Sequence, residues 1–238
     1  MIKKVQRFLK KVSFAPSGYG FSVYLDGKPI KTPKGLMVTV PNAFLARAIT
    51  LEWQKQEGII KPATMPITQL TCTTLDRVIP NRTSVIEQMV EYAHTDLLCY
   101  RAETPVDLNA RQNDIWQPIL NWAAKTLNTP LKVGYGIRYV AQSDEAIFKL
   151  RNVLERYDNW ELTSITQMAP IFGSLLLALA VSENQIKWDQ AYSASILEEM
   201  FQVEMWGEDH DAMQRRNAIK LEVNDSINFL LLARSEKP

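Results

Sequence analysis

Between residues 11 and 40 polar and apolar side chains alternate in the runs VSFA, GFSVYL, PIKT and LMVTV, separated by Asp26-Gly27 and by Pro33-Lys34-Gly35. Period-two alternation marks half-buried strands, and Asp-Gly between two such runs marks a tight hairpin. The pattern predicts a small antiparallel sheet of three to five strands. From Pro41-Asn42 the period changes: Phe44, Leu45, Ala48, Ile49 and Trp53 recur at helical spacing over 43–57. This is a helix opened at Asn42, closed by Gly58 and laid over the sheet with those five residues inward. Pro62 and Pro66 resist regular structure on either side, so the domain boundary is expected there, with residues 1–64 an α+β domain and 65–238 a helical one. Helices are predicted over 67–78, 82–95, 108–127, 144–157, 161–181, 187–206 and 209–233. The short runs 97–100 and 132–140 carry no clear period, the second being compatible with a strand. The fold class is therefore α+β: a small N-terminal antiparallel sheet with a covering helix, then a larger all-α C-terminal domain.

One stretch, SILEEMFQVEMWGEDHDAMQRR over 195–216, departs from ordinary amphipathic sequence. Ile196, Leu197, Met200, Phe201, Val203, Met205 and Trp206 lay an apolar stripe along a helix. Glu198, Glu199, Glu204, Glu208, Asp209 and Asp211 crowd the rest, and no Lys or Arg stands between Lys187 and Arg215. No helical carboxylate here has an i,i+4 cation. Gly207 suits a left-handed helix end and Asp209 an N-cap. The expected result is a helical elbow carrying unpaired negative charge, either a solvated face or a docking surface.

Composition narrows the class. A chain of 238 residues with 46% hydrophobic content supplies a folded core, and a net charge of +1 does not suggest a nucleic-acid or anionic-membrane binder. The charge is uneven: Lys3, Lys4, Arg7, Lys10, Lys11, Lys28, Lys31 and Lys34 face only Asp26 over residues 1–34, whereas 183–211 is acidic. Cys72 and Cys99 are too few for a disulfide scaffold and read as free thiols. The apolar run 171–181 is about half a membrane span and holds Gly173 and Ser174, so it reads as a buried helix. No membrane insertion is expected.

Candidate chemistry is sparse. Two histidines, His94 and His210, rule out a His-rich metal site. His94, Asp96 and Cys99 invite a thiol-hydrolase reading, but Cys99 sits in the apolar run LLCY, so a core cysteine is the simpler reading, and Asp96 suits a turn or helix end. No phosphate-binding glycine motif is present. Trp53, Trp116, Trp122, Trp160, Trp188 and Trp206 stand among aliphatics at helical spacing and read as core. Glu198 and Glu199 point about 100° apart on a helix, a poor shared acid/base site. No catalytic residue, metal or cofactor is expected.

Longer words of sequence carry a resemblance: RFLKKV near the start, VYLDGKPIKTP, LEWQKQ, ATMPIT, YAHTDLLCYRAETP, the group Gln112, Trp116 and 118–122, Phe172-Gly173-Ser174, and LEEMFQVEMWGED. In this order they resemble the ATP12-type assembly chaperones that handle the α subunit of the F1 part of ATP synthase. Leu9, where an aromatic is common, and Asp211, where Glu is common, depart from the pattern.

The resemblance implies a non-enzymatic, ATP-independent chaperone that binds the unassembled F1 α subunit, covers the surface it later gives to β, and releases it as the ring forms. It implies a partner-binding acidic face of Glu198, Glu199, Glu204 and Asp209, with Glu198 carrying the family's important acidic position and Glu199 the neighbouring alternative. Glu52 and Trp53, and Trp206 and Gly207, match structural motifs of the family. The free protein is expected to be monomeric. Because RFLKKV begins within seven residues of Met1, the expected compartment is an α-proteobacterial cytoplasm, or the mitochondrial matrix if a presequence has been trimmed. Two readings from other classes remain: a small thiol-dependent hydrolase using Cys99 and His94, and a permanent subunit of a complex.

Overall fold

The structure is a computed structural model that describes residues 11–18 and 20–235. Lys3, Lys4, Arg7, Leu9 and Lys10, named above, lie outside the described residues. The alternating runs form strands β1 (Val12–Ser17), β2 (Gly20–Leu25), β3 (Lys28–Pro29) and β4 (Thr39–Val40). β2 is central, antiparallel to β1 from Val12↔Leu25 to Ser17↔Gly20, to β3 at Leu25↔Lys28 and to β4 at Phe21↔Val40. Asp26 and Gly27 both have positive φ, 49° and 78°, the two-residue turn whose twist matches that of the strands.

Helix α1 (Ala43–Gln54) covers this sheet. Asn42 caps it, its Oδ1 accepting from the Leu45 N–H at 2.9 Å. The inner face is Leu45, Ala46, Ile49 and Thr50; Phe44 is 42% exposed, because it stands one position off the stripe centred on Leu45 and Ile49. The helix also stops before Gly58, at Lys55, whose N–H reaches the Leu51 carbonyl at 3.1 Å. Glu52 then starts the next helix, α2 (Pro66–Thr73). Its carboxylate accepts from the N–H groups of Ile67 at 2.7 Å and Thr68 at 2.8 Å and from the Thr68 hydroxyl at 2.6 Å. Met65, at the N-cap position, offers no side-chain acceptor.

The remaining helices are α3 (Arg82–His94), α4 (Val106–Trp122), α5 (Asp144–Glu155), α6 (Asn159–Phe172), α7 (Leu175–Ser182), α8 (Trp188–Ser195), α9 (Leu197–Trp206) and α10 (His210–Arg234). Short strands β5 (Tyr100–Arg101) and β6 (Gly134–Tyr135) pair in parallel, so the run 132–140 does supply a strand. Two helices expected as single are each divided. At 161–181 the break falls at Gly173, φ 60°, and Ser174 caps α7 through the Leu177 N–H at 3.0 Å. At 187–206 it falls at Ile196, where the Ser195 hydroxyl donates to the Tyr192 carbonyl at 2.7 Å, a local bond that competes with the helical ladder. All of α7 is buried, as expected of the run 171–181.

Contacts divide the chain into two units. The first extends to Arg82 and takes in Asn159–Ser164 and the chain from Ile227; the second comprises Thr83–Asp158 and Ile165–Ser226. A single cut at Pro62–Pro66 does not describe this division. In the first unit the sheet and α1 cannot close their core alone: Phe229 and Ala233 of α10 enter it beside Val23, Val40, Leu45 and Ile49, and Trp160 packs on Phe229 with ring centres 6.0 Å apart. The Asn42 amide nitrogen donates to the carbonyls of Leu232 and Ser235, both at 2.9 Å.

Candidate functional site

Within the second unit, α9 is held mainly by polar contacts; Leu197 is its buried residue. Gln112 of α4 is fully buried. Its Oε1 accepts from the Ala102 N–H at 2.7 Å, which turns its Nε2 to donate to Glu198 Oε1 at 2.6 Å. One turn further along α4, Trp116, also fully buried, donates its indole N–H to the Ala194 carbonyl at 2.9 Å. Arg111 lies over the Phe201 ring at 5.2 Å and pairs with Glu204 at 2.7 Å. The three α4 residues thus grip successive turns of α8 and α9.

The far end is clasped from α10. The Arg216 side chain, nearly buried, donates to Glu199 Oε1 at 2.7 Å and to Glu208 Oε1 at 2.6 Å, and the two carboxylates hold its pKa up, Glu199 foremost. The Arg216 carbonyl accepts from the Tyr192 hydroxyl at 2.9 Å. Gly207, at φ 91° and ψ 168°, lets the chain turn; this is not the left-handed helical region but an extended positive-φ region open essentially to glycine. Asp209 caps α10, Oδ2 accepting from the Ala212 N–H at 2.9 Å.

The elbow is therefore not a bank of unpaired charge. Glu199, Glu204 and Glu208 have arginine partners and Glu198 a glutamine donor, because α4 and α10 bring cations and amides that the local sequence lacks. Met205 and Trp206 are 65% and 79% exposed, and they stand beside the exposed carboxylates of Glu204, Glu208, Asp209 and Asp211. Trp206 is not a core residue, since it caps the solvent end of α9. Trp116 is core as expected, Trp122, Trp160 and Trp188 are half-buried, and half-buried Trp53 packs against the first-unit core. Glu52 and Trp53 lie in the first unit and Trp206 and Gly207 in the second. Arg111, Gln112 and Arg216 are the site residues that sequence reasoning did not single out as partners of these acids; Gln112 stood in the quoted family words, and Arg216 just past the elbow.

The thiol reading fares poorly. Cys99 is fully buried, and burial, reinforced by the charge of Asp96, pushes its thiol pKa up, opposite to what a nucleophile needs. Asp96 is a turn and helix-end residue, as its position implied. Its Oδ1 accepts from the Leu98 N–H at 3.0 Å and its Oδ2 from the Leu176 N–H at 3.1 Å, at the start of α7. Among the described residues no group of three or more His, Cys, Asp or Glu is placed to hold a metal ion, and no helix is long and apolar enough to cross a membrane.

Comparison with known proteins agrees with this architecture. The family profile described as ATP12 chaperone protein matches residues 6–124. The mitochondrial protein atp12 of Schizosaccharomyces pombe is 25% identical over 224 residues, covering 89% of this chain and 77% of that protein. The mitochondrial ATP12 of Saccharomyces cerevisiae is 29% identical over 255 residues, covering 88% and 78%. The crystal structure of Atp12 from Paracoccus denitrificans superposes with a TM-score of 0.92 at 34% identity, over 96% of this chain and 98% of that one. With half of the chain matched by the family profile and a relative 34% identical over nearly its whole length, the chain belongs to the ATP12 chaperone family.

Proposed function

We propose that this protein assists assembly of the F1 sector of ATP synthase by holding the unassembled α subunit against α9, the elbow and the adjoining face of α4. The observation that carries the reading is the exposed pair Met205 and Trp206 at the tip of a helix fixed by side-chain bonds. Burying an aromatic side chain of about 150–250 Å² at about 25 cal/mol/Å² recovers on the order of 4–6 kcal/mol before ordering costs. A pre-positioned aromatic with a polar rim suits a partner's apolar interface better than solvent.

Glu198, Glu204 and Asp209 form the acidic rim of this face and contact the client. Glu199 belongs to the same set, but with its carboxylate committed to Arg216 it acts chiefly by holding α9. An orphan subunit exposes the apolar surface it later gives to its neighbour; covering that surface lowers the concentration of the aggregating species. A contact weaker than the final α/β interface lets the client leave without nucleotide hydrolysis. The compartment is the one in which F1 is assembled, bacterial cytoplasm or mitochondrial matrix.

The test is aggregation of purified α subunit in the presence of wild type, Trp206→Ser and Glu198→Lys, all matched for melting temperature. Both variants are expected to lose most of the protection; protection equal to wild type would remove this face from the contact. Absence of the protein from mature F1 separates a chaperone from a permanent subunit.

A further inference from the structure

We propose that an open groove between α4, α8 and α10 is an anchor subsite for the same client, and that it receives the apolar side chains of one client segment which also carries a basic and an acidic residue. The inference rests on the chaperone reading above. The groove has a volume of about 520 Å³, within the range of about 300–1,000 Å³ that holds a drug-sized group. That is room for a few side chains, not for a whole helix. Its floor is Ile119 and Ala194, both buried, and its wall includes the exposed Ile115 and Pro118.

Position links the groove to the elbow. Ile115 lies one helical turn beyond Arg111 and Gln112, which hold Glu204 and Glu198. Ala194 lies one turn before Glu198 and is tied to α4 through Trp116. Arg111 and Ile115 stand four residues apart on α4, so the contacts to α9 and the wall of the groove lie on one side of that helix. A specific interface buries about 800 Å² per partner, more than the side chains of Met205 and Trp206 offer, so a client seated on the elbow must cover adjoining surface. The groove offers apolar surface on the same helix, α4, that holds the elbow.

Its rim states the chemistry of the occupant. Asp189 of α8 and Lys220 of α10 stand at the opening. Asp189 Oδ1 accepts from the Gln190 N–H at 2.9 Å, and no ion pair joins Asp189 to Lys220 among the described residues. A segment bearing a cation for Asp189 and a carboxylate for Lys220 complements both. The charged groups stand at the rim rather than converging on the floor, which fits a polypeptide better than a small polar ligand.

The experiment measures the affinity of purified α subunit for wild type, Ser193→Trp, the double variant Asp189→Lys with Lys220→Glu, and Trp206→Ser. Ser193→Trp, which fills the groove, is expected to weaken binding about tenfold or more, the scale of a lost anchor. The rim reversal is expected to weaken it several-fold, less so at high salt. If Ser193→Trp lowers the melting temperature, the rim variant decides alone, since its two exposed residues leave the core untouched. Wild-type affinity in the deciding variants, with binding lost in Trp206→Ser, overturns the groove and leaves the chaperone reading standing. Failure of the wild type to bind α subunit overturns both. A small molecule retained by the native protein and displaced in Ser193→Trp overturns the groove in favour of a ligand site.

Discussion

Glu52 and Asp96 show how single carboxylates organise this chain. Each satisfies backbone N–H groups at the start of a helix distant in sequence, work usually done by the helix's own N-cap residue. Because Met65 offers α2 no side-chain acceptor, Glu52→Ala leaves the Ile67 and Thr68 N–H groups without a partner. It is expected to cost about 2 kcal/mol in urea unfolding. Asp96 is fully buried, and desolvation raises its pKa from the ordinary 3.8 to about 6, against hydrogen bonds from Leu176, Ser174, Leu98 and Leu175 that lower it. The folded state therefore holds this proton more tightly than the unfolded chain between about pH 4 and pH 6. The group's contribution to stability is fully present below about pH 4 and lost as pH rises through about 6, a difference of about 3 kcal/mol. The stability of wild type minus that of Asp96→Asn, measured by unfolding at each pH, is expected to fall across that window and to be flat above it.

At the scale of elements, α9 has little core of its own and keeps its place through Gln112, Arg111 and Arg216 on two neighbouring helices. Removing Arg216 severs two of these ties at once, because one guanidinium holds Glu199 before the elbow and Glu208 within it. Arg216→Gln is expected to speed amide exchange across Leu197–Trp206 well above that of α7, whose residues are all buried. Equal protection of α9 in variant and wild type would show that the apolar contacts suffice. The acidic run looked unbalanced because i,i+4 partners are the only ones a linear reading can count. The cations that balance it come from α4 and from nearly two turns into α10.

For the molecule as a whole, the two units are interleaved in sequence. The sheet and α1 draw Phe229 and Ala233 from the far end of α10 and take support from Trp160 at the start of α6. Phe229→Ala is expected to cost about 3–5 kcal/mol in thermal or denaturant unfolding, with the loss read in the N-terminal sheet although the residue lies more than two hundred positions beyond β1. The hairpin at Asp26-Gly27, the Asn42 cap, the helical run after Pro66 and the Asp209 cap were all legible in the sequence. Each is decided within a few residues by backbone preference and by hydrogen bonds between near neighbours. The break at Ile196, the division into units, the exposure of Trp206 and the partners of Glu198, Glu199 and Glu204 are not local quantities. Whether an apolar side chain is covered, or a carboxylate meets a cation, depends on which distant helices pack beside it, and tertiary packing alone decides that.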